Sequence, residues 1–128
     1  MQVERRPIRV MLVEDHNLVR AGIRAVIDGQ SDIQVIAEAT EGREAIRLAR
    51  ANCPDVAVVD VAMPGMSGPD LQRELTRRHE DIPIVFITAH QDETLRPRVL
   101  AQGAVECLFK PFSETALLGA LSAALRVS

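Results

Sequence analysis

Five short aliphatic runs decide what this chain can fold into. Residues 8–14 (IRVMLVE), 33–39 (IQVIAEA), 55–60 (DVAVVD), 83–88 (PIVFIT) and 104–109 (AVECLF) are each too brief for an ordinary helix. Several are nearly continuous in Val, Ile, Leu and Ala, as strands covered on both faces require. Between them, Leu18, Val19, Gly22, Ile23, Val26 and Ile27 recur at helical spacing, as do Ile46 with Ala49, and Leu71 with Leu75. Leu117, Leu118, Leu121 and Leu125 form one face of a last helix. Ser67 with Asp70 resembles an N-capping pair, Ser113 suits the N-cap of the last helix, and Gly103 suits the stop of the fourth. The order βαβαβαβαβα implies parallel pairing with right-handed crossovers, hence a three-layer α/β sandwich.

Length and composition agree. At 128 residues one domain is expected, and with 47% apolar but only 2% aromatic residues its core must be aliphatic. A net charge of −3 argues against a nucleic-acid-binding surface. No run is long enough for a membrane span, and the N-terminus lacks a signal-like apolar stretch, so a cytoplasmic location is expected. Cys53 and Cys107 suit two reduced thiols better than a disulfide or zinc framework.

In a parallel sheet of this kind ligands bind beyond the carboxyl ends of the strands. The first run closes in Glu14-Asp15, the third in Asp60, the fourth in Thr88, and the fifth in Lys110. Parallel pairing brings all five to one edge. Two like charges ~4 Å apart at an effective dielectric of about 20 repel by roughly 4 kcal/mol, so three carboxylates there call for a cation. Oxygen donors of this type suit Mg²⁺. Lys110 is the single lysine among fifteen basic residues, the other fourteen being arginine. A compact ammonium on a flexible stem can bridge a carboxylate and a phosphoryl oxygen where a planar guanidinium fits differently. Taken singly, each position has a plainer reading: a solvated loop start, a turn aspartate before Pro64 and Gly65, a β-branched strand residue, a snorkelling lysine.

Together, LVEDH (12–16), VVDVAMPGMSG (58–68), FITAH (86–90) and LFKPF (108–112) resemble the receiver domain of bacterial two-component response regulators. The likeness implies a flavodoxin-like (βα)5 doubly wound fold with strand order 2-1-3-4-5, over residues 7–128 after a short tail at 1–6. It implies Asp60 as phosphoacceptor, with Mg²⁺ held by the Asp15 and Asp60 side chains and the Ala62 carbonyl, and Glu14 acting mainly through metal-bound water. Lys110 would pair with Asp60 and then with a phosphoryl oxygen, Thr88 would donate to another, and the Lys110–Pro111 bond would be cis. The implied phosphodonor is a sensor histidine kinase, docking around residues 16–19 and the loop after Lys110. Downstream, the implied partner is a protein or an output domain not contained in this chain, and phosphorylation-dependent homodimerisation is a further expectation. Direct nucleic-acid or membrane binding is not expected, nor enzymatic activity beyond the domain's own phosphorylation and dephosphorylation.

The chain departs from the receiver pattern in three places. Cys107 stands where receivers usually carry Tyr or Phe, so the switch surface around helix 4, strand 5 and helix 5 would be read without a turning ring. Its apolar flanks make it an inert thiol rather than a redox switch. Pro97 falls inside the fourth helix if that helix begins near Asp92, so a late start with Pro97 in the first turn is expected, leaving 91–96 irregular or mobile. Ala62 and His90 occupy positions that modulate dephosphorylation in the family. Ala62 also stands where an Asp-nucleophile phosphatase places its acid–base aspartate, which speaks against turnover. A flavin carrier would need aromatic and Gly-rich loops that this chain lacks. The remaining rival is a pseudo-receiver acting as a phosphorylation-independent binding module, yet no acidic residue or lysine of the set is missing.

Overall fold

A computed structural model describes residues 6–89 and 92–125. Five strands, β1 (Ile8–Val13), β2 (Ile33–Ala39), β3 (Val56–Asp60), β4 (Ile84–Thr88) and β5 (Glu106–Phe109), form one parallel sheet in the order β2-β1-β3-β4-β5. The helices α1 (Asn17–Asp28), α2 (Gly42–Asn52), α3 (Gly68–Arg77), α4 (Leu95–Ala101) and α5 (Glu114–Ala124) alternate with them. Fold class and strand order are those expected from the sequence.

Alternation along the central strands divides the core into two layers. Met11 and Val13, Ala57 and Val59, and Ile84 and Phe86 pack with buried residues of α2, α3 and α4. Their neighbours Val10 and Leu12, Val56 and Val58, and Val85 and Ile87 pack on the opposite face with α1 and α5. Because β1, β3 and β4 are apolar on both faces, they occupy the middle of the sheet, as helix-covered parallel strands do. The apolar helix faces are narrower than the sequence suggested. Leu18 is 86% exposed and Leu125, past the end of α5, is 46% exposed, whereas Ile23, Ile27, Leu117 and Leu121 are buried.

The helix ends follow local chemistry. The Ser67 hydroxyl accepts from the Asp70 amide (3.2 Å) and the Ser113 hydroxyl from the Ala116 amide (3.0 Å), as N-caps do. Helix α4 begins at Leu95, so Pro97 lies in the first turn, where its missing N–H would have no intrahelical partner anyway. Residues 92–94 are outside the helix as expected, but Leu95 and Arg96 are already helical, because the Asp92 side chain gathers the Thr94 amide and hydroxyl (2.9 and 2.7 Å). Gln91 lies outside the described residues. At the other end, Gly103 at φ 104° lets its amide reach the Leu100 carbonyl and the Ala104 amide reach the Val99 carbonyl, the paired bonds of a left-handed helix stop.

Gly68 couples this scaffold to the strand tips. A Cβ there would lie 2.7 Å from the Asp60 carbonyl oxygen and 2.9 Å from the Phe86 ring. Backbone at that distance cannot step aside without moving β3. The substitution Gly68→Ala should therefore lower stability by ~1–3 kcal/mol, the usual cost of overpacking. Urea unfolding measures this, and an unchanged midpoint would show that the end of β3 yields freely.

Candidate functional site: an acidic cluster at the carboxyl edge of the sheet

The tips of β1, β3 and β5 converge. Glu14 follows β1, its amide donating to the Ala39 carbonyl at the end of β2 (3.0 Å), and its side chain is buried. Asp60 is the last residue of β3 and is buried too. Lys110 leaves β5 and its Nζ lies 3.3 Å from Glu14 Oε2 and 3.4 Å from Asp60 Oδ2, joining residues 96 and 50 positions apart. Its amide donates to the Thr88 carbonyl (2.8 Å), which ties the ends of β4 and β5 together. The Lys110–Pro111 peptide bond is cis. Thr88 closes β4, fully buried, in register with Phe109.

Ala62, itself exposed, contributes its backbone, its amide donating to Asp60 Oδ1 (3.0 Å). One side-chain ligand atom from each of Glu14, Asp15, His16 and Asp60 lies within 4.8 Å of the others. Asp15 Oδ1 is buried and has no hydrogen-bond partner, although His16 Nδ1 approaches to 3.3 Å. A buried carboxylate oxygen left this way among two further carboxylates is what a hard cation would satisfy, so the residues fit Mg²⁺. Asp15 and Asp60 would hold it with the Ala62 carbonyl, and Glu14 stands close enough to act through its water shell.

The electrostatics carry the same sign. Burial, with Glu14 adding, pushes the Asp60 carboxyl above its ordinary value, while the Ala62 amide and the Lys110 ammonium pull it back. Without a further positive charge the edge is over-supplied with carboxylate.

Two neighbours were not legible as site residues. His16, noted from the sequence only as part of a docking face, folds back so that Nδ1 lies 2.9 Å from Glu14 Oε1, and this bond, with the Asp15 charge, raises the imidazole pKa. Its place directly after two acids was the available signal. Arg20 on α1 donates to the Glu14 carbonyl (2.8 Å) and to Asn17 Oδ1 (2.8 Å), bracing the loop after β1. Among so many arginines, nothing in the sequence singled it out. Cys107 is buried with Leu95 and Val99 of α4 in one cluster, and burial pushes its thiol pKa up, away from the reactive thiolate. His90 lies outside the described residues.

The sequence model of the response regulator receiver domain matches residues 10–122. The chain belongs to that family. Among its relatives is the response regulator UvrY of Escherichia coli K12, 39% identical over 103 residues, which are 80% of this chain and 47% of UvrY. Another is the transcriptional regulatory protein LiaR of Bacillus subtilis, 37% identical over 117 residues, 91% of this chain and 56% of LiaR. The chain thus spans about half the length of the curated relatives it matches. A two-component response regulator of the LuxR family from Aurantimonas sp. SI85-9A1 superposes with a TM-score of 0.88 at 32% identity, over 94% of this chain and 86% of that one. The response regulator domain of Thermotoga maritima CheB also gives 0.88, at 27% identity, over 96% and 99%. No helix among the described residues of this receiver is long and apolar enough to cross a membrane.

The crowding of carboxylates gives the receiver a measurable signature. Because the folded-state pKa of Asp60 is raised, the unfolded chain releases that proton at lower pH, and folding carries a penalty above the ordinary carboxylate range. The substitution Asp60→Asn should therefore stabilise the metal-free receiver at neutral pH by ~1–3 kcal/mol. The gain should vanish as pH falls below the ordinary value of 3.8 and shrink when Mg²⁺ is added. Denaturant unfolding across pH tests this, and a loss of stability at pH 7 would show that Lys110 already over-compensates the acids.

Proposed function

We propose that this receiver, taken as one unit over residues 7–128, accepts a phosphoryl group on Asp60 from the phosphohistidine of a sensor histidine kinase. An Asp60 carboxylate oxygen attacks phosphorus, the phosphorus–nitrogen bond breaks, and the kinase imidazole leaves with the bonding pair. Bound Mg²⁺ would supply charge neutralisation for the transferring group. Lys110 holds the attacking carboxylate and then a phosphoryl oxygen, and the Thr88 hydroxyl donates to a second oxygen. The observation that carries the reading is Lys110 Nζ within 3.4 Å of both Asp60 and Glu14, beside the unsatisfied Asp15 oxygen.

The phosphorylated state would carry about 1.5 to 2 negative charges where the Asp60 carboxylate carried one, an excess over what Lys110 and bound Mg²⁺ would balance. Thr88 and the turn after β4 would be drawn toward the new oxygens, and α4 would follow. Cys107 lies beneath α4 and offers no ring to rotate, so the displacement of α4 itself would be the output read by a downstream protein or output domain. The kinase face would combine the start of α1 with the loop after Lys110. Val19, Gly22 and Ile23 of α1 line a mostly apolar groove there with Pro111 and Phe112. This reading places the domain in the cytoplasm, where such kinases present their phosphohistidine.

Incubation with acetyl phosphate should yield a phosphorylated receiver only when Mg²⁺ is present, and Asp60→Asn should abolish the product, as read by mass spectrometry under mild conditions. Absence of uptake by the unmodified receiver would favour a phosphorylation-independent binding module instead. At position 62 a methyl cannot orient water, whereas an amide can accept and donate to it. The substitution Ala62→Asn should therefore speed phosphate loss by about tenfold, the scale of one added hydrogen bond to the attacking water. Identical decay rates for the two proteins would remove position 62 from the control of lifetime.

A further inference from the structure

The opposite edge of the sheet carries a cleft of about 560 Å³ that the phosphoryl chemistry does not use. It lies where β3, β4 and β5 begin and where α3, α4 and α5 end, so it is remote in the fold from Asp60. That volume suits a small ligand. Ile82, Pro83 and the half-exposed Leu125 give it apolar surface, and Asp55, Glu80 and Asp81 give it three carboxylates, that of Asp55 also accepting from the Arg9 amide (2.9 Å). No Lys, Arg or His among the described residues lines it.

Gln72 supplies the second observation. It lines the cleft, is only 8% exposed, and its Nε2 donates to the Gln102 carbonyl at 3.4 Å. That carbonyl can only accept, so the amide orientation is fixed by it, and Oε1 is left buried with no hydrogen-bond partner. A buried acceptor in this position is costly unless a donor reaches it. Several of the cleft's donors are committed elsewhere. The Thr76 hydroxyl donates to the Gln72 carbonyl (3.0 Å), and the amides of Glu80, Ile82, Gly103 and Val105 all donate to backbone carbonyls. The nearby guanidinium groups of Arg73 and Arg77 are paired with Asp70 and Glu74 on the outer face of α3.

We propose that this cleft binds an alkylguanidinium group, its N–H donors meeting Gln72 Oε1 and the carboxylates and its alkyl stem lying on the apolar surface. A guanidinium is preferred over an ammonium because its several planar donors can serve an amide oxygen and a carboxylate together, and because it is more weakly hydrated. The same group could arrive on a free small molecule or on an arginine side chain of a peptide segment.

Two-dimensional amide NMR of the labelled receiver tests this with n-butylguanidinium, with the blocked peptide acetyl-Ala-Ala-Arg-Ala-Ala-amide, and with n-butyrate as the anionic control. Saturable shifts at Gln72, Ile84 and Gly103 are expected with one or both cations and not with butyrate. Tighter binding of the free compound would assign the site to a small molecule, and tighter binding of the peptide to a protein side chain. Affinity should fall about tenfold in Gln72→Met, which removes the acceptor at similar volume, and about threefold in Glu80→Gln. The second variant keeps the test decisive should the first fail to fold. Absence of localised shifts with both cations, or equal affinity in Glu80→Gln and the unmodified receiver, would overturn the proposal.

Discussion

The contact between the Lys110 ammonium and the carboxylates of Glu14 and Asp60 is the constraint around which this molecule is organised. Both acids are buried at the tips of central strands, where water screens them poorly. Removing such charges from water costs several kcal/mol each unless a partner of opposite sign is held close. The chain meets that demand from 50 and 96 residues away, through β5, the edge strand and the last in sequence. Pairing of β5 with β4, and the bond from the Lys110 amide to the Thr88 carbonyl, deliver the ammonium to its place. The edge is thus a tertiary product, made by the pairing of β1, β3, β4 and β5.

Much of this was legible because the strands are simple. Where a run of aliphatic residues stops at Asp60 or Lys110, burial on both faces dictates that the polar side chain marks the strand's end. Parallel topology then gathers the ends on one side without any further information. The helix termini were equally plain, since Ser67, Ser113, Gly103 and Pro97 each act through the nearest few backbone groups. Local chemistry is readable locally.

What the sequence left unread has a different physical origin. Leu18 belongs to the apolar stripe of α1 by spacing, but a stripe says only which residues are available for burial, and the neighbours reach Ile23 and Ile27 instead. Gln72, in the polar run LQRELTRR, resembles a surface residue, yet α3 turns it under the Gln102 carbonyl contributed by the end of α4. His16 and Arg20 are set by the path of one loop, whose backbone must bend so that Glu14 faces inward while its carbonyl faces α1. Such outcomes depend on how elements pack, and no single segment contains them.

The small side chain at Cys107 bears on how a charge added at Asp60 could reach the surface. It lies in the same buried cluster as Leu95 and Val99 of α4, and outside that cluster Arg96 pairs with Glu106 of β5 at 2.7 Å. Helix α4 is seven residues long, starts at a proline-bearing turn, and is held by Leu95, Val99 and Leu100 in one apolar cluster and by one exposed ion pair to β5. Exposed pairs of this kind contribute ~0–1 kcal/mol, so the fastening is modest. Under the proposed function, a phosphoryl group near Thr88 would act on this helix with interactions of larger size. In a receiver lacking an aromatic reporter, a short and lightly held helix is the element whose position such a charge can most readily change.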